Sequence, residues 1–354
     1  MIGATLDRPV EHDRASVDDV IDGFFSERVG RAAPLGDDYR RLWVATRDAA
    51  SGGKRVRPAL VLAAHRAFAG TDTLSSTHLA AAFELLHTAF LIHDDVIDHD
   101  LVRRGMPNVA GRFALDGVSR ELEPARANAY GEASAILAGD LLISAAHRLV
   151  AGLDAPAAVR IPLLDIVDEC VFLAAAGEHA DVRHAGASPD ERDILDMIER
   201  KTASYSFSAP LQAGALLGGA SVETVARLGE IGRHLGVAFQ LRDDVLGVFG
   251  HPSRTGKSVL GDLREGKLTL LIAYARGHAD WTLVEAHFGR ADLDEAAATR
   301  LRTAIESTGA RSRVERLIDA RCDEAKRAIT AGHLPDALRE ALTATVRECV
   351  ERDR

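Results

Sequence analysis

Leu79, Phe83, Leu86 and Phe90 recur at intervals of four, three and four residues, which places them on one face of an α-helix. The same spacing carries Asp94 and then Asp98 onto the continuation of that face. A second stripe, Leu228, Ile231, Leu235 and Phe239, leads in the same way to Asp243, with Gly247 one turn further. Helical periodicity returns from about Val17 to the C-terminus, without strongly alternating strand runs or a self-similar repeat. The pattern predicts one all-α domain over residues 17–354, preceded by a flexible N-terminal arm over 1–16. Ser188-Pro189-Asp190-Glu191 reads as a capping box opening a helix that runs through Lys201. Residues 105–111, 116–126 and 250–267 read as loops, being rich in Gly, Pro, Ser and charge, and the last is long enough for a functional lid.

Composition sharpens this picture. Aromatic residues make up only 5% of the 354-residue chain and proline occurs 11 times, which favours long helices. A net charge of -10 leaves no basic stripe for nucleic acid, so the few basic clusters must act locally. Cys170, Cys322 and Cys349 show neither disulfide nor zinc spacing, which fits a reducing cytoplasm. The N-terminus lacks the apolar run of a secretory signal. The apolar stretch 79–92 is too short to span a bilayer and contains Glu84 and His87, so a soluble protein without transmembrane segments is expected.

Carboxylates at the inward ends of two apolar stripes are rarely left there unless paired or bound to metal. The bland reading is a set of solvated helix ends, and two such sites at corresponding points of two stripes argue against it. Carboxylates this close repel unless positive charge intervenes, and oxygen-only ligands favour a hard ion such as Mg²⁺, with phosphate completing its shell. Gly52-Gly53-Lys54-Arg55-Val56-Arg57-Pro58 sets three cations at a helix start, a ready anion site. Arg103-Arg104-Gly105 follows the first acidic motif closely and offers two guanidiniums for phosphate. Lys201, Lys257 and Lys267 would each alone be read as surface lysines. Acids for Mg²⁺ together with bases for phosphate describe a site for diphosphate substrates.

In combination and in this order, GGKRVRP, His87, DDVID with RRG, Lys201-Thr202, FQLRDD and the TGK and GDLREGK segments resemble the polyprenyl synthetase family of trans-isoprenyl diphosphate synthases. The resemblance covers about residues 50–270. It implies a single large helical bundle around a deep central cavity, with the two acidic motifs at its mouth, and a homodimer. It implies that Asp94 and Asp98, with Asp95 nearby, bind two Mg²⁺ and that Asp243, supported by Asp244, holds a third. Arg103, Lys201, Lys257 and Lys267 would hold the allylic diphosphate, with Thr202 and Gln240 presenting negative dipole ends to the carbocation. Lys54, Arg57, His87 and Arg104 look like the isopentenyl diphosphate site. The implied reaction is Mg²⁺-dependent condensation of isopentenyl diphosphate with an allylic diphosphate.

The sequence also departs from the family pattern. Gly247 stands where many members carry a further aspartate, although many geranylgeranyl-type bacterial members share DDxxG. Glu178 replaces a common glutamine, and His251 and Ser258 replace common lid residues. Ala89 and Phe90, just upstream of the first acidic motif, form the expected chain-length floor. They favour a C20 geranylgeranyl product over C15 farnesyl, with longer chains open. Three other readings compete. The Glu84-Leu-Leu-His87 spacing suits a di-iron bundle, although only one such segment is present. A class I terpene cyclase would share the first acidic motif, and a non-catalytic synthase subunit would share the fold.

Overall fold

The computed structural model describes residues 10–184, 187–250 and 261–351. In chain order its helices are α1 (Val10–Ala32), α2 (Asp37–Ala50), α3 (Val56–Ala67), α4 (Thr73–Ile97), α5 (Val109–Ser119), α6 (Pro124–Ala151), α7 (Ala157–His184) and α8 (Glu191–Ile198). A π-helical segment, Glu199–Ser208, follows α8 and leads into α9 (Ala209–Leu217), then α10 (Val222–Phe249). The C-terminal helices are α11 (Gly261–Glu265), α12 (Leu270–Ala275), α13 (Ala279–Thr282), α14 (Glu295–Ser307), α15 (Ala310–Ala331) and α16 (Asp336–Glu351). Among the described residues the only sheet is a two-stranded ribbon, β1 (Val102–Arg103) against β2 (Met106–Pro107). The all-α expectation therefore holds.

Backbone contacts group the chain into two compact units, and α7 and α9 contribute to both. The first unit comprises residues 2–168 and 212–221 and is organised on α4, which packs against α1, α3 and α6. Asp72 starts α4 by accepting the Ser75 N–H at 2.9 Å. From Leu79 to Leu86 every residue of α4 is buried, so the helix is enclosed on all sides rather than along one stripe. Small residues let the helices approach: a Cβ on Gly131 of α6 would run into the Ala110 carbonyl of α5. By length and composition α6 could cross a membrane; in this unit it buries one face, with Ala127, Gly131, Ala135, Ala138 and Leu142, and leaves Ile136 and Leu137 exposed.

The second unit comprises residues 169–211 and 222–354 and is organised on α10, which packs against the π segment and α15. Arg242 of α10 is fully buried, donating to the Cys349 carbonyl at 3.0 Å and to Glu315 at 3.4 Å, and so ties α10 to α16 and α15. Gly232 and Gly236 bring α10 onto the backbone of Ser208 and Ala203 in the π segment. The three cysteines are buried free thiols.

Local boundaries differ from the sequence pattern where side-chain chemistry competes. Asp190, not Ser188, caps α8: its carboxylate accepts the Asp193 N–H at 2.9 Å, and Asp193 returns the contact to the Asp190 N–H. The segments read as loops at 105–111 and 116–126 are largely taken up by the ribbon, α5 and the start of α6. Of the 250–267 loop, residues 261–265 form α11, while 251–260 lie outside the described residues. The expected arm over 1–16 lies outside the described residues as far as residue 9, and α1 begins at Val10.

Gly232→Ala should destabilise the protein by about 1–3 kcal/mol, because its methyl would press on the Ser208 backbone rather than on a movable side chain. A lowered urea midpoint with an unchanged slope in equilibrium unfolding checks this, and an unchanged midpoint would contradict it.

Candidate functional site

In the first unit three of the four residues of the Gly-Gly-Lys-Arg loop are left-handed. Gly52 and Gly53 have φ of 74° and 85°, and Arg55, with φ of 50°, caps the start of α3. Arg55 is a non-glycine residue in a conformation that costs energy, and its side chain explains how it is held. Its guanidinium donates to Glu84 at 2.7 Å, to the Ala50 carbonyl at 3.1 Å and to Asp18 at 2.8 Å. Arg55 is therefore committed to holding the loop. Glu84 is committed with it, which removes the carboxylate that a di-iron ExxH site would need. Arg14 of α1 adds a 2.9 Å bond to the Gly53 carbonyl.

Arg103-Arg104-Gly105 is the corner of the β ribbon rather than a further helical turn. Arg104 and Gly105 both have positive φ, 53° and 75°, as a two-residue hairpin turn demands. The corner sends Arg104 to the glycine loop, where it donates to the Ser51 carbonyl at 3.2 Å. A Cβ on Gly52 or Gly53 would lie 3.5 or 3.6 Å from that guanidinium, an ordinary contact, so what calls for glycine here is the left-handed backbone rather than space. Burial, and then the charges of Arg57, Arg103, Arg104 and Arg55, hold His87 well below its ordinary pKa. The imidazole is neutral at neutral pH amid four guanidiniums. Lys54 is exposed beside them and Arg57 stands in the first turn of α3, which has no acidic residue. This cluster suits an anion.

The first acidic motif closes α4. Asp98 is its exposed C-cap and donates its N–H to the Asp94 carbonyl at 2.9 Å, while Asp94 is half-buried. Asp95 is only 4% exposed and accepts from Arg103 at 2.6 and 2.8 Å. Burial raises its pKa, against the pull of Arg103. Arg103, a residue expected to hold diphosphate, thus engages Asp95 and, at 3.7 Å, Asp94, and Asp94 and Asp98 stand one turn apart with oxygen donors at a helix C-terminus. That donor set fits a hard divalent ion such as Mg²⁺. Among the described residues no three of His, Cys, Asp and Glu converge as a closed metal site, so the two aspartates could supply only part of an ion's shell.

The second unit holds the other expected residues. Asp243 is half-buried, and Asp244 is the enclosed carboxylate at 4% exposure, accepting from Gln240 Nε2 at 2.8 Å. Burial pushes Asp244 up to about 7, with the Lys267 ammonium 3.9 Å away acting in the opposite direction. The apolar stripe marks Asp243 as the inward member, but α10 is buried on nearly every side, so one stripe does not define inside. Thr202 is half-buried in the π segment, and Lys201 is bonded to Glu178 and Asp181. Gly247 is not a gap. A Cβ there would strike the Asp262 carboxylate, which already fills the space. Asp262 is a residue the sequence reading passed over, because only folding brings α11 beside α10. Lys257, His251 and Ser258 lie outside the described residues.

Comparison with known proteins adds a separate line of support. The polyprenyl synthetase family pattern matches residues 43–305. The chain is 37% identical over 232 residues to a geranylfarnesyl diphosphate synthase of Aeropyrum pernix, a match covering 64% of this chain and 67% of that protein. It is 33% identical over 309 residues to the octaprenyl diphosphate synthase of Escherichia coli K12, covering 86% of this chain and 87% of the relative. A geranylgeranyl pyrophosphate synthase of Corynebacterium glutamicum, solved with isoprenyl diphosphate and magnesium, superposes with a TM-score of 0.85 at 27% identity, covering 95% of this chain and 98% of that one. With the acidic motif closing α4 and the arginine cluster around His87, these matches lead to one conclusion: the chain belongs to the polyprenyl synthetase family of trans-prenyl diphosphate synthases.

Proposed function

We propose that the protein condenses isopentenyl diphosphate with an allylic diphosphate in a Mg²⁺-dependent reaction, and that its main product is the C20 geranylgeranyl diphosphate. The observation that carries this reading is the pairing, within one unit, of an oxygen-only acidic helix end with an arginine cluster around a neutral histidine. An enzyme for one monophosphate would need less positive charge. A terpene cyclase, which takes a single diphosphate, would have no use for a second set of cations.

In this reading Lys54, Arg57, Arg104 and His87 hold isopentenyl diphosphate. His87, being neutral, gives a directed hydrogen bond while the guanidiniums supply charge. Arg103, Lys201 and Lys267, with Lys257, hold the allylic diphosphate. Mg²⁺ held by Asp94, Asp98 and Asp243 would neutralise the departing diphosphate. The allylic C–O bond breaks to leave a carbocation and free diphosphate. The double bond of isopentenyl diphosphate then forms the new C–C bond, and a proton leaves to the released diphosphate. Gln240, with its Nε2 committed to Asp244, keeps its amide oxygen for the cation, and Thr202 offers its hydroxyl oxygen.

Relatives in this family carry names from farnesyl to octaprenyl synthases, so product length rests on this chain's own floor. Ala89 is fully buried, whereas Phe90, four residues before Asp94, keeps an open face. Phe90 is therefore the residue we assign to the floor, with Ala89 packing behind it. We further propose a homodimer through α5 and α6, whose outer faces leave Leu115, Val118, Ile136 and Leu137 exposed. A cytoplasmic setting suits the three unbridged thiols.

Purified protein given Mg²⁺, isopentenyl diphosphate and a C5, C10 or C15 allylic diphosphate should make longer prenyl diphosphates and should size as a dimer. No turnover in any mixture, or a cyclic hydrocarbon from one allylic diphosphate alone, would overturn the reading. Phe90→Ala should shift the product distribution upward by at least one C5 unit, and an unchanged distribution would remove Phe90 from the floor. Gly247→Asp should lower kcat by about tenfold or more, because its carboxylate must share space with that of Asp262. Adding Asp262→Ala to that variant should restore part of the loss. Full activity in the single variant would show that Asp262 leaves the space readily.

A further inference from the structure

The transferase reading assigns Lys201 a diphosphate to hold, yet its ammonium is already engaged on two sides. Nζ lies 2.7 Å from Asp181 Oδ2 and 2.8 Å from Glu178 Oε2. The two carboxylates stand three residues apart on α7, hence on one face of it. All three side chains are about four-fifths buried, at 21, 19 and 20% exposure for Lys201, Glu178 and Asp181.

The backbone fixes this arrangement. Gly177 lies flush on the turn that carries Lys201, and a Cβ there would come within 2.6 Å of the Lys201 Cα. The π segment therefore cannot draw Lys201 away from α7 without opening that crossing. Glu178, the next residue along α7, is held at the ammonium by the same contact.

Charge then decides what the arrangement does. Within this triad two carboxylates face one ammonium, and the nearby Lys267 ammonium, which also feels Asp181, is shared with Asp244 and Asp262. A diphosphate oxygen drawn toward Lys201 meets a carboxylate that balances the lysine and a second that repels the newcomer. A glutamine at position 178 could still turn its amide oxygen to the Lys201 ammonium without adding charge. Glutamate is therefore not a neutral replacement.

We propose that Glu178 is a positioning residue that tethers Lys201 to α7 and weakens its hold on the allylic diphosphate, making tight binding of that substrate depend on divalent cation. This inference rests on the transferase reading, and the test separates the two. Glu178→Gln should lower the KM for the allylic diphosphate by about tenfold, the effect of one interaction worth a single pKa unit. The change should fall on the allylic KM, while the KM for isopentenyl diphosphate should move far less. Glu178→Asp, which keeps the charge, should keep the wild-type allylic KM. By calorimetry, Glu178→Gln should bind inorganic pyrophosphate more tightly than wild type without Mg²⁺, and the difference should shrink when Mg²⁺ is added. An allylic KM that is unchanged or raised in Glu178→Gln would overturn the inference, as would equal pyrophosphate affinities. Wild-type protein without turnover would instead overturn the transferase reading, and the pyrophosphate titration would still decide the role of Glu178.

Discussion

A charge buried in an apolar helical unit has to be compensated where it stands, because removing one partner of such a pair leaves an unpaired ion at a cost of about 3–5 kcal/mol. This protein buries many. Arg55 lies against Glu84, Asp95 against Arg103, and Arg242 against Glu315 and the Cys349 carbonyl. Asp244 is enclosed with Gln240 and Lys267, and Lys201 with Glu178 and Asp181. The pairs sort the motif residues into two kinds. Some are enclosed and spend their charge on holding the fold, and others, such as the half-buried Asp94 and the exposed Asp98 and Lys54, keep surface open and are the ones proposed to meet metal or substrate.

The glycine loop shows how the first kind serves the second. Arg55 occupies left-handed backbone at the start of α3, and its three contacts, to Glu84, Asp18 and Ala50, hold it there. With the loop so held, the left-handed Gly52 and Gly53 lie beside the Arg104 guanidinium, which the hairpin corner delivers to the Ser51 carbonyl. Burial first, and then the four guanidiniums around it, lower the proton affinity of His87. A protonated imidazole would add charge to a cluster that already has it. A neutral one can still donate a hydrogen bond without adding charge.

The sequence made the helical class legible through its periodicity, and it identified α4 with Asp94 and Asp98 and the two basic segments. Those features are local, since spacing along one helix or one loop defines them. The relations that were not legible all depend on a second element. Whether Asp243 or Asp244 is enclosed depends on what surrounds α10, and a stripe measures only one of its faces. Arg55 looks like a third phosphate ligand until Glu84 and Asp18 are seen to take it. The Arg104-Gly105 corner has no strand pattern long enough to announce a ribbon of two residues per strand. Asp190 prevails over Ser188 as a cap because the reciprocal contact with Asp193 is decided by geometry at the helix start.

The two departures from the family pattern in the second unit belong to one electrostatic account. Gly247 removes a carboxylate from α10, and Asp262 of α11 brings one to the same place. Glu178 adds a carboxylate beside Lys201 where the family commonly has an amide. Lys267 couples these positions: burial opposes its charge, while Asp244, Asp262 and Asp181 favour it and Lys201 repels it, and the acids prevail to raise its pKa. A carboxylate therefore still stands beside position 247, supplied by Asp262, and negative charge is increased at 178. Such a surrounding attracts cations and resists bare diphosphate. A substrate that arrives with its charge neutralised by a divalent ion meets attraction instead. The departures thus strengthen the dependence of anion binding on metal, which is the condition under which an allylic diphosphate should ionise only when its leaving group is ready to be stabilised.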